Sequence, residues 1–155
     1  MTIEGSTQAL AGEVPANGIS TRTVLLALGA AIYAISFALP AVSTSTGGHD
    51  GLAGWQCAVI ALTSVGHPSG FMTLPLFASG LVNPLALAYL LFCASGKRSL
   101  ASLTIAMVTL VFVAMSWLVI ADGLAVEIGH VAWVAGLLLM MVPEIVGITR
   151  TQARA

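Results

Sequence analysis

The chain has 155 residues, with five Lys or Arg, six Asp or Glu and three His, and a formal net charge of −1 at pH 7. Apolar residues make up 58% and charged residues 7%, against about 45–50% and 25% in a typical soluble domain, and a small globule has too much surface to hide that excess. These values exclude a soluble globular domain and a disordered chain; five basic residues also exclude the clustered basic face of a nucleic-acid binder, so the expected partner is the lipid bilayer, with a membrane protein or a second copy of the chain as further candidates.

Residues 1–21 are polar and lack periodicity, which predicts a disordered tail. Glu4 and Glu13 precede the first basic residue, Arg22, whereas a secretory signal begins with a positive segment. Four stretches then lack Asp, Glu, Lys and Arg: 23–49, 51–96, 99–121 and 128–143. A bilayer core takes about 20 mostly apolar residues per helix. The first and third stretches hold one span each, and the fourth holds one if it continues past Glu144. The second is long enough for two, but its first half, LAGWQCAVIALTSV, is short, contains polar residues and ends in the breaker Gly66-His67-Pro68-Ser69-Gly70. Apolar stretches of this length re-enter or lie at the interface more often than they cross.

Cytoplasmic loops carry the excess of Lys and Arg. With four spans, Arg22, Lys97, Arg98, Arg150 and Arg154 fall on one side; with five, Arg22 is separated from the other four. The four-span arrangement also brings Trp55, Trp117 and Trp133 near the outer surface as interfacial anchors. The expected fold is an all-α polytopic bundle in the inner (plasma) membrane, both termini cytoplasmic. It has a tail over 1–21, a four-helix transmembrane domain over 22–150 and a tail over 151–155. Spans are expected near 23–40, 73–96, 100–121 and 129–149, with a short outer re-entrant or interfacial helix near 52–65.

Leu39-Pro40-Ala41, Gly54-Trp55-Gln56-Cys57, and Asn83-Pro84 ahead of an apolar run into Lys97-Arg98 resemble a pattern in a group of small bacterial inner-membrane proteins without an assigned activity. The resemblance covers about residues 35–120. It implies a first span ending in a Leu-Pro-Ala corner and a short outer helix, and no chemistry.

Asn83-Pro84 is the first candidate polar or ligand site. Pro84 cannot donate a backbone hydrogen bond and should kink the helix at the Gly80 carbonyl. The Asn83 amide must face protein or water, and interhelical polar contact is its simplest role. Glu144, the one acid within an apolar run, is the second. It lies about 9 Å along the helix from Arg150, so an interfacial ion pair with Lys97 or Arg98 is expected, with a proton-accepting role as the alternative. Glu127 and His130 share a helix face, and with His49 or His67 they form a candidate metal set; a dipole-favoured acid and a headgroup-zone imidazole is the simpler account. Cys57 and Cys93 form no CxxC and are expected as free thiols. Gly-His-Pro-Ser-Gly is not a nucleophile elbow, whose serine is central, and no cofactor is expected. Alanines 27, 30, 31, 34 and 38, with Ala132 and Gly136, give small-xxx-small spacings that suit close helix packing.

With no catalytic constellation, the sequence leads to a non-catalytic accessory or scaffold membrane protein. The alternatives are a small transporter or channel component using Asn83 and Glu144, and an outer-face metal-binding protein.

Overall fold

The computed structural model describes residues 20–44, 51–63, 73–95, 100–120 and 124–152. The elements in order are α1 (Thr21–Ser36), β1 (Pro40–Thr44), β2 (Leu52–Ala53), α2 (Gly54–Thr63), α3 (Thr73–Ala94), α4 (Leu100–Ile120), β3 (Leu124–Val126) and α5 (Ile128–Gln152). His49, His67, Lys97, Arg98 and nearly all of the expected N-terminal tail lie outside the described residues.

Ser20 starts α1: its backbone is extended, and its Oγ accepts from the Thr23 N–H at 3.2 Å, which satisfies one of the four donors a helix start leaves free. The helix does not run to residue 40, as expected from its hydropathy. It ends at Ser36, and the Phe37, Ala38 and Leu39 N–H groups donate to the carbonyls of Ala34, Ile35 and Ser36 in a tightened last turn. Pro40 is the cause, because proline disfavours helical backbone in the residue before it.

Pro40 then opens β1, the centre of a three-stranded antiparallel sheet in the order β2-β1-β3. Val42 stands opposite Leu52 on one side and Val126 on the other. The fold is mostly helical, as expected, and this small sheet is an addition to the all-α expectation. Its strands link helix ends, where backbone amides and carbonyls have no helical partners, and pairing them with each other satisfies both.

α1 lies antiparallel on α5. Arg22 meets Glu144 at one end, Gly29 and Gly136 meet in the middle, and Gly129 abuts Leu39 and Pro40 at the other. A Cβ on Gly136 would sit 2.7 Å from the Tyr33 nitrogen, and one on Gly29 2.7 Å from the Gly136 oxygen, so the backbones touch only because both residues are glycine. Alanines 27, 31, 34 and 38 point away from this contact and are exposed; the close approach uses the other face of α1.

α3 packs along α4, α2 rests on α3, and α4 touches α5. The buried residues of α4, Ser102, Ala106, Thr109, Val113 and Ser116, recur at alternating steps of four and three, one stripe of a helix surface. The Thr109 and Ser116 hydroxyls donate back to the Ile105 and Val113 carbonyls. Val82, Ala86, Tyr89, Ala106, Val113, Leu137, Met140 and Met141 form the core. Large apolar side chains, among them Leu87, Leu91, Val111, Leu118 and Val142, cover the outside. Three helical segments, Leu74–Ala94, Leu100–Leu118 and Ile128–Val146, are long and apolar enough to cross a membrane. At 16 residues, α1 is about 24 Å long.

Candidate functional site

Two polar clusters interrupt this apolar bundle, one at each end of the α1–α5 pair. At the end away from the sheet, Arg22 Nη2 donates to Glu144 Oε2 at 2.5 Å. The Glu144 side chain is 2% exposed and that of Arg22 32%. The sequence pointed to an ion pair with Lys97 or Arg98, which lie outside the described residues; the antiparallel course of α1 on α5 supplies Arg22 as a partner. Arg22 also reaches Cys93 Sγ at 3.8 Å. Beside it, the Tyr89 hydroxyl donates to the Met140 carbonyl at 3.1 Å, next to the Leu139 carbonyl that Pro143 deprives of its helical donor.

The second cluster lies toward the sheet. Asn83 Oδ1 accepts from the Tyr33 hydroxyl at 2.8 Å and from the Trp133 indole N–H at 3.2 Å, which ties α3 to both α1 and α5. Pro84 sits inside α3 without ending it. Trp133 is thus half-buried and turned into the bundle, whereas Trp55 and Trp117 are about half exposed, at 56% and 46%. His130 stands between Trp117 and Trp133, with ring centroids at 5.3 and 5.5 Å.

A small cavity, partly open to the exterior, adjoins these groups. α1 contributes Ser36 and the adjoining Phe37, α2 contributes Cys57 and Ala58, α3 contributes Ser79 and Asn83, and α5 contributes His130 and Trp133. Among the described residues, no Asp, Glu, Lys or Arg lines it. Gly129 lets α5 reach this position, since a Cβ there would stand 2.5 Å from the Pro40 oxygen. A second recess shares Cys57, Ser79 and His130. His130 is 8% exposed, and its Nε2 is buried without a hydrogen-bond partner among the described residues. Among the described residues nothing accepts from the Asn83 amide NH2 either. Burial raises the Cys57 thiol pKa above its ordinary value.

Glu127 is engaged elsewhere. Its N–H donates to the Ala41 carbonyl at 3.0 Å, its Oε1 accepts from Ser43 Oγ at 2.7 Å, and its carbonyl accepts from the His130 N–H at 3.1 Å. It therefore fastens β1 to the start of α5. Among the described residues no three His, Cys, Asp or Glu side chains come together as a metal set.

Of the residues singled out in the sequence, the structure joins Asn83, Trp133 and His130 around one cavity and places Glu144 at the far end. Tyr33, Ser36 and Ser79 were not singled out in the sequence, and Cys57 only as a free thiol. Tyr33 carried a signal: a tyrosine within an apolar run needs a partner for its hydroxyl. No family profile, curated protein or solved structure matches the chain, so the resemblance seen in its motifs rests on those motifs alone.

Proposed function

We propose that the protein is a non-catalytic membrane component with four crossings and both ends cytoplasmic, which binds a small molecule in a cavity facing the outer side. The observation that carries the binding role is His130 Nε2, buried without a partner among the described residues, beside a cavity that also receives the Asn83 amide. An unpaired buried polar atom costs about 1–3 kcal/mol, and a ligand group that pairs with it recovers that cost. Like ligand sites in general, the cavity has mostly apolar walls and few polar groups.

Four crossings are supported by the course of α1, which accompanies α5 from Glu144 to Gly129 and so reaches the same depth. Residues 37–40 extend its reach beyond the helix end. The basic residues then share one side, and α2 with the sheet forms a lid on the other. A scaffold role alone leaves the unpaired imidazole without a purpose. A transporter would use the same cavity and would need a path beyond Asn83.

The binding role is tested by extracting small molecules from purified wild-type protein and from Ala58→Phe, which fills the cavity from α2. The expected result is a compound retained by the wild type and lost from a variant of unchanged helix content. Identical extracts would contradict it.

A further inference from the structure

We infer that the ligand is a neutral ring compound bearing a hydroxyl group, of the phenol or hydroquinone class, held with its hydroxyl toward His130 and Asn83. This inference rests on the binding role proposed above and names the class of molecule that the cavity takes.

Three features select that class. First, among the described residues no charged side chain lines the cavity, so its walls offer a charged ligand no counter-ion. Second, the two open polar groups make different demands. The Asn83 NH2 can only donate, whereas a neutral imidazole nitrogen accepts in one tautomer and donates in the other. A hydroxyl does both, so it suits the Asn83 amide and either tautomer of His130. A carbonyl serves only donors, and an ether has no proton to give an accepting Nε2. Third, the walls are partly aromatic: Phe37, Trp133 and the His130 ring line the cavity together with small alanines from α2. Rings favour edge-to-face or offset contacts with such walls over aliphatic packing alone. Ser79, also in the lining and without a hydrogen-bond partner among the described residues, supplies a further hydroxyl.

Cys57 lines the same cavity and reports its occupancy. In detergent-solubilised full-length protein, the alkylation rate of Cys57 by N-ethylmaleimide is followed by mass spectrometry with phenol, with toluene, or with neither. The two probes share shape and differ by a hydroxyl in place of a methyl; free concentrations are matched. Phenol at ten times its dissociation constant should slow Cys57 about tenfold, with the remote Cys93 unaffected and toluene leaving Cys57 near its unliganded rate. His130→Phe, which keeps an aromatic ring between the two tryptophans, should lose phenol protection. His130→Gln, which restores an acceptor and a donor, should recover part of it. Equal protection by toluene and phenol would overturn the hydroxyl class and leave the binding cavity standing. Protection by neither, as expected if water alone fills the site, would overturn both. Phenol protection unchanged in His130→Phe would remove His130 from the site and overturn the inference.

Discussion

Arg22 and Glu144 stand 122 residues apart in the chain, and their ion pair joins the start of α1 to the last part of α5. The carboxylate is almost wholly enclosed, whereas the guanidinium keeps about a third of its surface. Removing one partner of a buried pair costs about 3–5 kcal/mol, because the other charge is left unpaired; partial exposure of Arg22 sets the lower end as the expectation for Glu144→Gln. Double substitution with Arg22→Gln should cost less than the sum of the singles. Thermal unfolding in detergent measures this, and additive losses would show that the two do not act as a pair.

Asn83 Oδ1 holds two donors from two helices. Tyr33→Phe and Trp133→Phe each remove one, and each should cost about 0.6–2 kcal/mol, the range of interhelical hydrogen bonds in membrane proteins. Asn83→Leu removes both bonds at once. Adding either phenylalanine substitution to Asn83→Leu should then change stability by less than the same substitution does in the wild type.

The contact of α1 with α5 requires glycine at position 136, where a methyl group would meet backbone atoms of Tyr33. Gly136→Ala should lower stability by about 1–3 kcal/mol through overpacking. Ala31→Leu, on the exposed face of the same helix pair, should be nearly neutral. A comparison of the two melting temperatures checks which face of α1 is used.

The helices could be read from the sequence because each is a long apolar run bounded by charge or by glycine and proline. The short helix near 52–65 was legible for the same reason, and the structure gives it as Gly54–Thr63. The sheet was not. Its strands have five, two and three residues, too few for an alternating pattern to register. Of the small residues whose spacing suggested close packing, Gly136 makes the contact, opposite Gly29; the exposed alanines of α1 do not. Asn83 was recognisable as a polar residue in an apolar helix. Its partners were not, because Tyr33 and Trp133 are each 50 residues away and only the antiparallel pairing of α1 with α5 brings them together. The same pairing selected Arg22 for Glu144.

Cys57 offers a pH-dependent check of the cavity wall. Burial favours the neutral thiol and raises its pKa, and the thiolate is the reactive form. Alkylation near neutral pH should therefore be slower than for a model peptide thiol. The rate should keep rising through the pH range where that peptide levels off. A profile matching the free peptide would mean that Cys57 is not enclosed.

The proposed four-crossing arrangement would turn the cavity outward, and one labelling experiment tests it most directly. Single cysteines are placed at Ser20, Leu52 and Ala155 in a variant lacking Cys57 and Cys93, and intact cells are exposed to a membrane-impermeant thiol reagent. Only Leu52→Cys should react from outside, with Ser20→Cys and Ala155→Cys reacting after permeabilisation. Equal labelling of Ser20→Cys and Leu52→Cys would mean that α1 does not cross, and outside labelling of Ala155→Cys with Ser20→Cys protected would mean an odd number of crossings; either result would contradict the account.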